Sequence, residues 1–154
     1  MEIIEKKPFR VVGKAGSTEE GPDFIARLWQ QANAGFPEIE ALALRNQNGL
    51  PLGIWGVMSD PAGSFAPWTD GFTHGLYLAG AECRDDAAAP EGWTAWDVPG
   101  FRALKVPADG PNVFRDTLKY MADNGLELAG AVHDFTDPAA GSSYMIFPLE
   151  LKRE

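Results

Sequence analysis

His74 and His133 carry the side chains in this sequence that ordinarily titrate near neutrality, so they are the first candidates for moving a proton. His133 is followed by Asp134, but neighbours on a strand point to opposite faces, so the two do not form a catalytic pair. Cys83 is the single cysteine; no spacing pairs it with a histidine, and a lone thiol usually packs as a small hydrophobe. The two histidines lie far apart and no His/Cys pair has ligand spacing, so no metal is expected. Gly71-Phe72-Thr73-His74-Gly75 lacks the helix and lysine of a phosphate cradle, and no cofactor is expected either. Flat rings, by contrast, are plentiful: five Trp, three Tyr and nine Phe. Tryptophan is rarely fully buried, and its face attracts organic cations by roughly 0.5–2 kcal/mol per contact. These residues therefore point toward binding before turnover.

Strand alternation suggests which rings act together. Trp55, Val57 and Ser59 share one face of a strand, as do Ala131, His133 and Phe135 of another. If Gly56 and Gly130 are equivalent, Trp55, Ser59, His133 and Phe135 point the same way. They would give a pocket of bulky rings with a few polar groups. The alternative is that Trp55 and Phe135 are core and His133 is a hydrogen-bonded buried histidine. Phe36, Trp68, Tyr77 and Trp93 complete the candidate set, with Phe36 and Trp68 at the rim. Trp93 and Trp96 occupy a loop leading into a strand, where packing alone would also explain them.

The elements that would position these side chains repeat. Phe9-Arg10-Val11-Val12-Gly13 and Phe101-Arg102-Ala103-Leu104-Lys105-Val106 both read as strands. Each is followed by a helix signal. Ser17-Thr18-Glu19-Glu20 offers a capping box, or Gly21-Pro22 starts the helix, ahead of Phe24, Ile25, Leu28 and Trp29. The second helix starts at Gly110-Pro111-Asn112, places Phe114, Leu118 and Met121 on one face, and closes at Asn124-Gly125. Two apolar segments follow each helix: 53–59 and 75–83, then 128–135 and 143–151. The order strand, helix, strand, strand thus recurs after about 90 residues. The expectation is one domain over 1–154 with halves at about 1–84 and 93–154. Its fold is α+β: two pseudo-symmetric repeats form an antiparallel sheet with helices on one face and a central ligand cavity where they meet.

The 154 residues suffice for a core without metal or disulfide, since a chain of this size buries about 70% of its unfolded surface. Thirteen Lys+Arg against 22 Asp+Glu give a formal charge of -9, which disfavours a nucleic-acid surface. The acidic start Met1-Glu2-Ile3-Ile4-Glu5 reads as no secretory signal, no stretch reaches membrane-spanning length, and a lone thiol suits a reducing compartment. The cytoplasm is the expected location.

The repeated plan resembles the GyrI-like small-molecule-binding family, the bacterial transcription activator effector-binding domain. The resembling residues are Phe9 to Gly13, Leu28-Trp29, Ile54-Trp55-Gly56-Val57, Tyr77 to Glu82, Pro90-Glu91-Gly92-Trp93, Val98-Pro99-Gly100 and Ile146-Phe147-Pro148-Leu149. The resemblance implies a cavity for amphipathic aromatic or cationic compounds, sometimes in transcription regulation or drug sensing. The family's Glu-x-Tyr on the penultimate strand reads His133-Asp134-Phe135 here, which would put His133 in the place of the cavity Glu. Asp134 would serve only if the register slipped by one. The leading expectation is a stand-alone protein binding a small aromatic or cationic ligand, with no direct nucleic-acid contact and no membrane. The alternatives are a hydrolase of reactive aromatic natural products, with His133 as base and Tyr77 as donor, and a protein–protein adaptor.

Overall fold

The structure, a computed structural model, describes residues 1–153. Eight strands form one antiparallel sheet: β1 (Glu2–Lys6), β2 (Phe9–Ser17), β3 (Ile54–Ser59), β4 (Leu76–Cys83), β5 (Thr94–Val98), β6 (Gly100–Pro107), β7 (His133–Asp137) and β8 (Ser142–Lys152). Three helices accompany them: α1 (Phe24–Ala34), the single turn α2 (Thr69–Phe72) and α3 (Val113–Asp123). The spatial order is β1-β6-β8-β7-β3-β4-β2-β5. The repeat is therefore present as β2-α1-β3-β4 and β6-α3-β7-β8, meeting along the β3–β7 seam.

Two strands lie outside the repeat as read from sequence. β1 pairs with β6, and β5 with β2, so each repeat lends a leading strand to the other. The segment around Trp93 and Trp96, expected as a loop, is largely β5. The stretch 128–132, expected as strand, is not one; β7 begins at His133.

Connectivity forces the sheet to curl. Only Lys7 and Pro8 join β1 at one edge to β2, and only Pro99 joins β5 at the other edge to β6. A two-residue link reaches about 10 Å, whereas strands spaced by about 4.8 Å would leave β1 and β2 far apart in a flat sheet. Curling brings the wings together: the rings of Phe9 on β2 and Phe101 on β6 are 6.3 Å apart between centroids. The two links cross at Gly100, where an added Cβ would collide with the backbone of Lys6, Lys7 and Pro8.

The concave face is filled without any helix. Phe9, Val11, Trp55, Val57, Leu78, Val98, Phe101, Ala103 and Ile146 pack against one another there. Helices cover the convex face. α1 lays Phe24, Leu28 and Ala32 against Val12, Tyr77, Ala79 and Ala81. α3 turns Met121 onto Leu104, Val132 and Phe147, with Phe114 and Leu118 half-buried beside them. The capping box at Ser17 forms, but it caps the 3-10 turn Thr18–Glu20 and not α1, which starts at Phe24.

The equivalence of Gly56 with Gly130 does not hold. Gly13 pairs with Gly80, which pairs with Trp55, while Lys105 pairs with Ile146, which pairs with His133. Matching Phe9 to Phe101 therefore sets Trp55 on His133 and Gly56 on Asp134. Gly56 and Asp134 also face each other directly across the seam, as residues flanking a two-fold axis must.

Gly100→Ala is expected to destabilise the protein by about 1–3 kcal/mol or more, because only backbone can yield to the new methyl group. Urea unfolding followed by far-ultraviolet circular dichroism measures it; unchanged stability would show that the crossing is not tight.

Candidate functional site

At the centre of the seam, on the helix-covered face, Gly56 leaves open the space that the Tyr77 hydroxyl occupies; a Cβ there would strike it. The Tyr77 hydroxyl donates to Asp134 Oδ2 at 2.8 Å and accepts from Trp29 Nε1–H at 3.1 Å. The chain of donors runs from α1 through β4 to β7, so the orientation of one carboxylate depends on both repeats. Burial raises the Asp134 pKa above the usual carboxylate range, and the Tyr77 bond only partly offsets it. Burial, reinforced by the nearby Asp134, also holds the Tyr77 phenol protonated.

Beside this carboxylate lies a cavity of about 220 Å³ lined by Met58, Trp68, Phe72, Phe114, Val132 and Met145, with Pro67 and Ala131. Its relation to Asp134 follows from register. Met145 is the partner of Asp134 across β7–β8, and Met58 is the partner of Tyr77 across β3–β4. The walls are almost wholly apolar; Asp134 and Tyr77 lie behind them as the strand neighbours of Met145 and Met58.

The loop between β3 and β4 forms the outer wall. Phe65, Asp70 and Phe72 all take positive φ, at 62°, 51° and 67°, a left-handed conformation that costs energy without glycine. The Trp68 indole N–H donates to the Leu76 carbonyl at 3.0 Å, and its ring lies where a side chain on Gly75 would be. Phe72 meets Phe114 of α3 edge-on at 5.1 Å, so the loop spans from one repeat to the other helix.

The eight candidates from sequence divide between the two faces. Trp55, Ser59, His133 and Phe135 do share a face, but it is the concave one, away from this cavity. Trp55 lies 4.5 Å from Phe135 and 4.7 Å from Phe9 between ring centroids. The Ser59 hydroxyl donates to Asp60 and accepts from the Phe65 N–H, which uses both its functions. Tyr77 and Trp68 are on the helix side, Trp68 in the cavity wall and Tyr77 fully buried beside Met58. Phe36 and Trp93 pack beyond the C-terminal end of α1, where the Trp93 indole N–H donates to Glu38 at 3.3 Å and Lys14 sits 4.1 Å over the ring.

His133 does not take the place of a cavity acid. It is 2% exposed and its Nδ1 accepts the Met58 N–H at 3.1 Å, which leaves the proton on Nε2. Burial lowers its pKa to about 4. A neutral ring sealed in the concave core reaches neither solvent nor the cavity, so the base assigned to it in a hydrolytic reading is out of position. Asp134 faces the helices without any slip of register, because it alternates with His133 and Phe135, which face the concave side. Sequence reasoning passed over Asp134, Trp29, Met58, Phe114 and Met145 as site residues. The available signal was the Phe-Arg repeat carried through the strand pairings, and those pairings are tertiary information.

No family model matches the chain, and no curated protein matches it. Solved structures share its fold at low identity. The structure of the EcmrR–DNA complex matches with a TM-score of 0.65 and 16% identity, over 97% of this chain and 56% of that one. This chain therefore spans little more than half of EcmrR. An integron cassette protein from the mobile metagenome of Vibrio cholerae matches with a TM-score of 0.53 and 16% identity, over 98% of this chain and 95% of that one. SAV2435 bound to tetraphenylphosphonium matches with a TM-score of 0.51 and 16% identity, over 98% and 93%. These likenesses show a shared fold.

His133 gives a pH signature with a worked sign. Its folded pKa lies below its unfolded value of about 6.5, so the unfolded chain binds more protons between about pH 4 and 6.5. Its contribution is complete above that window and is lost as pH falls through it, by an amount of order 3 kcal/mol. Asp134, raised by burial, acts in the opposite sense over part of the range. The difference between wild type and His133→Gln in urea titrations isolates the histidine: the wild-type stability should fall more steeply below pH 6.5. In a second measurement, Tyr77→Phe removes the donor to Asp134 and should raise the Asp134 carboxyl pKa further, as followed by NMR of its side-chain carbon.

Proposed function

We propose that this protein binds a small amphipathic cation carrying an aromatic or alkyl body, in the helix-side cavity, with Asp134 as counter-charge. The observation that carries the reading is a half-buried carboxylate, aimed by Tyr77, beside an apolar cavity built from both repeats. Burial disfavours the charged form of Asp134, and a bound cation would offset that cost. Rings at the walls would supply apolar burial of about 25 cal/mol per Å² and cation–π attraction. That SAV2435 holds tetraphenylphosphonium on the same fold supports this choice of ligand class. The fold it shares with EcmrR fits a sensing part in transcription regulation, exercised through a partner in view of the net acidity of this chain.

Calorimetric titration with benzyltrimethylammonium and with tetraphenylphosphonium tests the proposal. Binding of at least one is expected, weakened at least tenfold by Asp134→Asn and strengthened as pH rises and Asp134 loses its proton. The single-ring cation matches a cavity of about 220 Å³ better than the four-ring one. Absence of binding at millimolar concentration, or equal affinity in Asp134→Asn, would overturn the proposal.

A further inference from the structure

A second cavity opens on the other face of the sheet. It has a volume of about 240 Å³ and is lined by Ile4, Glu5, Lys6, Leu52, Trp55, Glu82 and Phe135. At its wall is Glu82 of β4, 5% exposed. One of its oxygens accepts the Trp55 indole N–H at 3.2 Å, and the other binds the ammonium of Lys6 at 3.0 Å. That ammonium also lies 4.5 Å over the ring of Phe9 and 5.6 Å from the ring of Trp55. A desolvated carboxylate with two ring faces around one cation is the environment that selects organic ammonium ions.

The cation comes from an edge strand. This strand, β1, pairs with β6, and Glu2, Ile3 and Glu5 on it are exposed. Lys6 is its last residue, and its side chain remains 24% exposed. The space beside the ammonium is more than an ion pair needs, and Ile4, Leu52 and Phe135 make much of its wall apolar. Lysine thus supplies a head group, and the cavity retains room for a body that lysine does not have.

We propose that the Glu82 pocket is a second cation site, for a primary ammonium on an alkyl or arylalkyl body, which Lys6 occupies in cis. An external amine and the Lys6 side chain compete for the same carboxylate, so the free protein holds this site closed. The site is distinct from the Asp134 cavity: the two lie on opposite faces of the sheet and share no side chain.

The test uses phenethylammonium chloride and the indole N–H resonance of Trp55, assigned through Trp55→Phe. Lys6→Met keeps the apolar stem and removes the charge. This variant should bind phenethylammonium at least tenfold more tightly than wild type, with the Trp55 resonance moving on titration. Lys6→Gln, which keeps a donor for Glu82, gives the same comparison should the methionine variant fail to fold. Adding Glu82→Gln should abolish the gain, and adding Asp134→Asn should leave it intact. The proposal is overturned if the Lys6 variants bind no better than wild type, or if binding survives Glu82→Gln. It is also overturned if phenylacetate binds wild type at this resonance and loses affinity in Lys6→Met, which would make the pocket an anion site.

Discussion

Two short links crossing at Gly100 govern this molecule. Because β1 and β5 each pair with the opposite repeat, the links that lead out of them must traverse the gap between sheet edges in one or two residues. The edges can be that close only if the sheet curls, and the crossing backbones can be that close only if residue 100 has no side chain. The curl then turns one face inward, where Phe9, Trp55 and Phe101 meet from strands that are not neighbours. A core made this way needs no helix, which leaves both long helices for the outer face.

That division explains where space remains. The concave side is closed by its own rings, and its residual cavity at Glu82 is at the rim. On the convex side, α1 and α3 each pack on their own repeat, and the seam between them is covered by a loop held in left-handed turns together with Phe114. Two polar assemblies mark the two cavities. Each is a carboxylate fixed by a hydroxyl, indole or ammonium from a different element, and among the described residues no buried side-chain polar atom lacks a partner. Charges buried in this way are costly unless paired, so their pairing is structural as well as functional.

The two-repeat plan was readable because it depends on local signals. The Phe-Arg openings, the apolar faces of α1 and α3 and the glycine after α3 all survive in the structure. The alternation that put Trp55, Ser59, His133 and Phe135 on one face also survives, since a period of two is insensitive to a shift by an even number of residues. For that reason the misplaced match of Gly56 to Gly130 left their facing intact. It hid the identity of the central pair, because only the registers across four strand pairings set Gly56 against Asp134.

What the sequence determined by itself was the order of elements, the ring content and the acid balance, all fixed within a few residues of chain. What tertiary structure decided was where on each face of the sheet space remains. Facing is local, but emptiness depends on what arrives from across the fold. Phe9 and Phe101 arrive over Trp55 because the sheet curls, whereas Gly56 arrives beside Asp134 and admits only the Tyr77 hydroxyl. Neither arrival is encoded near the residue it affects, so the filled and the open places could be told apart only once the chain was folded.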